Sequence, residues 1–465
     1  MTDEGREKCA IVLGLGLHGG GVGVARHLHA RGRRVRVLDR RDAATLAPSL
    51  AALAGIPLDL RLGEHRVEDL EGCDLLVPNP AVPADHPLLA EARRRGIAVR
   101  GEIELLIEAL PQRCIAITGT NGKSTTTTLI AFLLDRCGVS ARLGGNLGIS
   151  LLDDVAGVRP EDWLVLEVSS FQLEALHPPR PWPEVAVWTN LSPDHLDRHG
   201  DMAGYARAKD GILRFQTPQQ VAILNGADPV LRSSERPGQG RRVWIGEAPD
   251  GAPRWSEDAS GNLCRRDENG LQEILARRAD LPLRGAFQGT NALMALAAVE
   301  AAGVDPRVAA RYLPEFQGVA HRLRSLGERG GRTWIDNGVS TTPTSTISAL
   351  EDTEARPLYW IGGGKTKHLP LEGLARTAAS RCAEVLAFGA AAEELANAIE
   401  EAGGKARRCP DLPSAMTIAA RETPRGACIL FSPAFASFDA YPHFRVRAAH
   451  FLRLLDEHCP PGDGT

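Results

Sequence analysis

Eight consecutive residues, Thr118-Gly119-Thr120-Asn121-Gly122-Lys123-Ser124-Thr125, follow an apolar run that begins at Cys114 and open an apolar helical pattern. Glycines there expose backbone N–H groups, Lys123 supplies a cation for the β- and γ-phosphates of a nucleotide, and the Ser124 hydroxyl can reach Mg2+. The common phosphate loop would place glycine at 117; Ile117 stands there, so this loop is a shorter variant. Its alternative is a glycine-rich turn with a solvated lysine. A second cluster, Gly14-Leu15-Gly16-Leu17-His18-Gly19, also joins a strand pattern to a helix pattern, and Asp39 follows Gly19 by 20 residues at the end of the next strand. Such glycines let a backbone approach a phosphate, and an acid at 39 can accept from ribose hydroxyls. The pattern suits a dinucleotide, a UDP-sugar or a plain tight turn. Glu167 closes an apolar strand, facing the crevice where doubly wound sheets bind ligands, or it is a capping acid. His195 lies in a Pro193-Asp194-His195 loop, and Lys209 in Tyr205-Ala206-Arg207-Ala208-Lys209 reads by itself as a surface helix lysine.

The elements that must position these groups alternate between short apolar strands and helical stretches, the signature of α/β layers. A first block opens with Cys9–Leu13, contains Val35–Asp39, and ends where Leu110-Pro111-Gln112 breaks the pattern. A second holds Cys114–Thr118, Leu164–Val168 and Val185–Thr189, and ends in a helical run from Asn291 to Ala302. A third begins near His321-Arg322, with strands Thr333–Asp336, Leu358–Ile361, Glu384–Phe388 and Cys428–Phe431. The expected domains are therefore 1–111, 112–318 and 319–465. Residues 230–280 read as loops and short strands.

A chain of 465 residues exceeds one ordinary core, and 43% hydrophobic with 24% charged residues is a globular balance. A net charge of -4 offers no nucleic-acid footprint. No apolar run approaches a membrane span, and the polar start lacks a signal-peptide core, so a cytoplasmic location is expected. Nine cysteines without a C-x-x-C pair, set singly in apolar stretches, read as reduced core thiols.

Further strings occur in order: Gly144-Gly145-Asn146-Leu147-Gly148, Glu167-Val168-Ser169-Ser170-Phe171-Gln172-Leu173-Glu174, Thr189-Asn190-Leu191-Ser192-Pro193-Asp194-His195-Leu196-Asp197-Arg198, His321-Arg322-Leu323, Asp336, and Ser432-Pro433-Ala434-Phe435-Ala436-Ser437-Phe438. With the loop at Gly119, this set resembles the Mur ligase family over nearly the whole chain, on the glutamate-adding branch. The loop alone is also similar to that of folylpolyglutamate synthases, which would not need the block from Gly14 to Asp39.

The resemblance implies three domains: an N-terminal Rossmann-like UDP-binding domain, a central P-loop-type ATPase domain and a C-terminal Rossmann-like domain. It implies an ATP-dependent amide ligase of peptidoglycan precursor synthesis, a monomer taking ATP, UDP-N-acetylmuramoyl-L-alanine and glutamate. D-glutamate is the expected enantiomer and L-glutamate the alternative. It makes Ser124, Glu167 and His195 ligands of two Mg2+ ions and Lys209 a carbamate beside them. Catalysis would rest on Lys123, Glu167, His195 and Lys209. ATP contacts would come from Gly119, Thr120, Asn121, Gly122, Lys123, Ser124, Thr125, Gln288, Asn291, Arg322 and Asp336. The family's adenine-side Gly-x-His-Asn reads Gly285-Ala286-Phe287-Gln288 here, which weakens that contact. Leu17, His18, Asp39, Asn146 and Ser169 map to the UDP-sugar, and Ser340, Lys365, Lys367, Ser437, Phe438 and Phe444 to the amino acid. Where the glutamate branch often carries a lysine two residues after the aspartate, this chain has Gly338. Lys365, beside Lys367 in one glycine-rich turn, is the candidate replacement.

Overall fold

A computed structural model describes the chain apart from residues 1–7, 18, 148–149, 233–235, 250–253, 267–268, 284, 286, 356, 367–368, 443 and 461–465 and the side chains of 197 and 344. His18 and Lys367 thus lie outside the described residues. The fold is mixed α/β with three sheets. The chain forms two compact units: Met1–Asp280 with Gly289–Leu313, and Leu281–Gln288 with Pro314–Thr465.

The first unit holds two sheets. Strands β1 (Cys9–Leu13), β2 (Arg34–Asp39), β3 (Leu58–Leu62), β4 (Cys73–Pro78) and β5 (Ala98–Val99) pair in parallel in the order β3-β2-β1-β4-β5. The helices Gly20–Ala30 (α1) and Glu102–Ala109 (α2) belong to this part. The second sheet contains β6 (Cys114–Thr118), β7 (Ala141–Gly145), β8 (Trp163–Glu167), β9 (Val185–Trp188), β10 (Val221–Asn225), β11 (Arg241–Ile245), β12 (Trp255–Glu257), β13 (Asn262–Arg266) and β14 (Gln272–Arg277). Its order is β14-β13-β12-β11-β10-β9-β6-β8-β7. Every residue of β6, β8 and β9 is buried, as a parallel strand covered on both faces requires. The loop-rich stretch 230–280 supplies β11 to β14, the last two an antiparallel hairpin.

In the second unit β15 (Arg324–Arg329), β16 (Arg332–Asp336), β17 (Leu358–Gly363), β18 (Cys382–Phe388), β19 (Ala406–Cys409) and β20 (Cys428–Ala434) run β15-β16-β20-β17-β18-β19. All pairs are parallel except β15 with β16. Phe431 stacks on Phe451 at 4.2 Å between ring centroids, joining the sheet to the helix Phe444–His458.

Candidate active site at a phosphate loop

In the central sheet β6 lies between β8 and β9, so strand order reverses there and a crevice opens at its carboxyl end. The loop leaving β6 has Gly119 at φ 146° and Gly122 at φ 79°. A Cβ on Gly119 would lie 1.9 Å from Thr189 Oγ1, and one on Gly122 2.6 Å from Asn291 Oδ1. Glycine is therefore needed for space as well as conformation. The loop is strapped to the end of β9. Thr120 N donates to Asn190 O at 3.0 Å, Asn121 N to Asn190 Oδ1 at 2.9 Å, and Thr189 Oγ1 to Asn121 O at 2.6 Å. It feeds the helix Lys123–Arg136 (α3), whose first turn carries no acid to compete for a bound anion.

Lys123 Nζ donates to Gly119 O at 2.9 Å and Thr120 O at 2.7 Å, folding over its own loop. Ser124 Oγ donates to Glu167 Oε2. Asn146 clamps the same acid, its Nδ2 on Glu167 Oε1 and its backbone N on Glu167 O, each at 2.8 Å. Ser124 and Glu167 are buried oxygen donors beside a phosphate loop, a set that suits hard Mg2+. Among the described residues no group of three or more His, Cys, Asp and Glu converges.

Lys209 ends the helix Met202–Lys209 and, against its surface-helix reading, is only 1% exposed. Its Nζ donates to Gly119 O at 2.8 Å and lies 4.6 Å from the centroid of the Tyr205 ring. Burial, reinforced by Lys123, holds its pKa well below the ordinary lysine value against the pull of Asp194 and Glu167. His195 sits at φ 51° with its side chain 46% exposed, its Nε2 3.4 Å from Asp194 Oδ2 and its ring on Phe171. Thr125 and Asn291 are buried in this unit. Asn190, Thr189 and Tyr205, whose hydroxyl meets Thr120 Oγ1 at 3.4 Å, had no role assigned from sequence although their strings were singled out.

At the first sheet Gly14, Gly16 and Gly19 all have positive φ, and Gly16 N donates to Asp39 Oδ2 at 3.2 Å. Asn79 lies against Gly14 and Gly16, and Glu102 against Gly20. Burial pushes the Glu102 carboxyl up, opposed by the hydroxyl of Ser150, which donates to it at 2.8 Å. Asn79 reaches the glycines because it follows β4, which pairs with β1, and Glu102 because it opens α2; neither is near them in sequence. Leu17 packs on the core, and Ser169 caps the helix Ser170–Glu174, accepting from Gln172 N at 3.3 Å.

In the second unit Asp336 Oδ2 meets His321 Nδ1 at 2.7 Å, and His321 precedes Arg322 at φ 64°. Gln288 is buried, Phe287 half-exposed. Ser340 Oγ contacts Ser345 Oγ at 2.6 Å and Thr346 Oγ1 at 2.7 Å, and Thr346 Oγ1 continues to Ser432 Oγ at 2.8 Å. Lys365 pairs through its backbone with Ala436, next to buried Ser437 and exposed Phe438; Phe444 begins the last helix. A Cβ on Gly338 would lie 2.6 Å from Ala448 Cβ and 3.2 Å from Phe431 Cε1, so the place of the missing lysine is filled.

Comparison with known proteins adds to this geometry. Residues 8–101 match the family described as Mur ligase MurD-like, N-terminal domain, and residues 117–299 the Mur ligase middle domain. The chain is 38% identical to a UDP-N-acetylmuramoylalanine--D-glutamate ligase of Synechococcus sp. (strain CC9902), over 97% of this chain and 99% of that protein. It is 36% identical to one of Roseiflexus sp. (strain RS-1), over 97% and 98%. Among solved structures, the UDP-N-acetylmuramate-alanine ligase of Thermotoga maritima aligns at TM-score 0.60 and 19% identity, covering 97% of this chain and all of that one. A UDP-N-acetylmuramoylalanyl-D-glutamyl-2,6-diaminopimelate--D-alanyl-D-alanyl ligase of Acinetobacter baumannii aligns at 0.59 and 20%, covering 91% and 90%.

Proposed function

Because the chain belongs to the Mur ligase family, we propose that it joins glutamate, as the D-enantiomer, to UDP-N-acetylmuramoyl-L-alanine at the expense of ATP. The observation that carries this reading is the convergence of Lys123, Ser124, Glu167 and Lys209 on one phosphate loop. A carboxylate resists an amine because oxide is a poor leaving group. Attack of a carboxylate oxygen on the γ-phosphorus expels ADP and leaves an acyl phosphate; the amine then attacks the carbonyl carbon, phosphate departs, and the nitrogen loses a proton. Bringing two anions together calls for positioning and positive charge. Lys123 supplies charge at the β- and γ-phosphates, and the loop amides orient them. Mg2+, held by Ser124 and Glu167 with His195 alongside, would neutralise developing charge on the phosphate oxygens.

Lys209 is the site of carbamylation in this reading. Carbamate formation needs the free amine, and burial favours it. The resulting anion would sit among Lys123 and metal charge in place of the buried amine. We assign residues 1–111 to the UDP-sugar, 112–318 to ATP and 319–465 to the amino acid, in a cytoplasmic monomer.

The test is phosphate release with UDP-N-acetylmuramoyl-L-alanine, crossed against each glutamate enantiomer. Release is expected only with Mg2+, the UDP-sugar and D-glutamate together. Equal turnover without the UDP-sugar would overturn the ligase reading, and product with L-glutamate alone would overturn the enantiomer.

A further inference from the structure

Cys9 opens β1 and Cys73 opens β4, and the two residues are register partners across the parallel pair. They are 64 residues apart in sequence, but Cys73 Sγ donates to Cys9 Sγ at 2.8 Å. A disulfide bond measures ~2.05 Å and joins residues whose Cα atoms stand about 4.4–6.8 Å apart, the spacing of neighbouring strands. The surroundings also favour reaction. Arg36 Nη1 lies 3.6 Å from Cys73 Sγ, and Arg36 is itself fixed by Asp59 at 2.7 Å. The Cys73 hydrogen bond, with Arg34 and Arg36 nearby, lowers the Cys9 thiol to about 6 against the cost of burial. Cys9 is buried and Cys73 partly open to solvent, so a small oxidant can reach the pair from the Cys73 side.

We propose that Cys9 and Cys73 form a reversible oxidation site, closing a disulfide when the protein meets a hydroperoxide. A thiolate of the pair attacks the peroxide oxygen, the O–O bond breaks, and the leaving oxygen departs as water or an alcohol after taking a proton. That cysteine is then a sulfenic acid. The other sulfur of the pair attacks it, the S–O bond breaks, and the hydroxyl leaves as water with the second thiol's proton. Two thiols give up two electrons to one peroxide, and a dithiol reductant reverses the step. The link lies at the amino end of β1, away from Gly14 at its carboxyl end, and encloses β1 to β3 with the glycine loop in one covalent ring. It therefore staples the first sheet and leaves the phosphate loop unmodified.

The full chain, reduced and freed of reductant, is treated with hydrogen peroxide at neutral pH, alkylated under denaturing conditions, digested and weighed. The expected product is a peptide pair joined through Cys9 and Cys73, cleaved by dithiothreitol, whose rate of formation rises with pH as the thiolate forms. Phenylarsine oxide should bind the untreated protein one to one and fail to bind the oxidised protein, a readout that needs no variant. Cys9→Ser and Cys73→Ser should each abolish both signals while keeping phosphate release. Peroxide treatment that leaves Cys9 and Cys73 fully alkylatable, oxidises them separately to sulfinic acids, or links only other cysteines would overturn the proposal.

Discussion

Replacing Lys209 by methionine separates a structural role from a chemical one. Methionine matches the stem in length and removes the charge. In the fold Lys209 is 1% exposed, its Nζ has one backbone acceptor, Gly119 O at 2.8 Å, and burial with Lys123 alongside opposes its charged form. A hydrogen bond from a charged group contributes about 1.5–3 kcal/mol, whereas burying a charge costs several kcal/mol. Lys209→Met should therefore leave stability unchanged or raise it by about 1–2 kcal/mol. Catalysis should move the other way. Loss of a group that organises charge at the transferring phosphate should lower kcat by about 10²–10³-fold, or ~3–4 kcal/mol. The assay pairs denaturant unfolding with phosphate release under saturating ATP, UDP-sugar and glutamate. Lys209→Ala, which leaves room for a small anion, should regain part of its activity with added acetate or formate, and the wild type should lose activity in CO2-free buffer. A Lys209→Met protein with wild-type kcat, or one whose activity falls only as far as its folded fraction, would refute the reasoning.

Three other outcomes follow from the geometry. Gly119→Ala places a Cβ 1.9 Å from Thr189 Oγ1 at φ 146°, so it should cost about 1–3 kcal/mol of stability and raise the KM for ATP; an unchanged ATP KM would show that the loop is not the phosphate site. Lys365→Ala should raise the KM for glutamate with little change in kcat, while Gly338→Lys, meeting Ala448 at 2.6 Å, should destabilise the protein without lowering that KM; wild-type behaviour of Lys365→Ala would remove it from the pocket. Burial, with Glu351 adding to it, pushes the Asp352 carboxyl up from 3.8 to about 6. The unfolded chain releases this proton first, so stability falls as pH rises from about 4 to 6, and Asp352→Asn should gain about 1–2 kcal/mol at pH 8 and nothing at pH 3.5 in urea titrations. An equal gain at both would assign the effect to packing.

What could be read from sequence depended on how local the determinant is. The loop at Gly119 was legible because its glycines, Lys123 and Ser124 act within one strand-turn-helix, and Glu167 because a strand end in a doubly wound sheet faces the crevice. Lys209 could not be placed on the same terms. Its helix offers alanine and glycine rather than an apolar stripe, and what buries it is a loop 90 residues away. The cysteines are free thiols, as their spacing suggested, but spacing says nothing of which parallel strands adjoin, so the nearness of Cys9 to Cys73 was not legible. Asn146, mapped to the UDP-sugar, spends its amide on Glu167, and Asp336, mapped to the ribose, meets His321. Family correspondence transfers a position, but the position's hydrogen bonds depend on neighbours it does not name. Gly338 shows the limit most sharply. In one dimension it is a missing cation, which invites a search for a replacement charge nearby. In three dimensions Ala448 and Phe431 occupy the space. A lysine restored at 338 would therefore meet packed side chains rather than open space, and its stem could not be accommodated without moving Ala448.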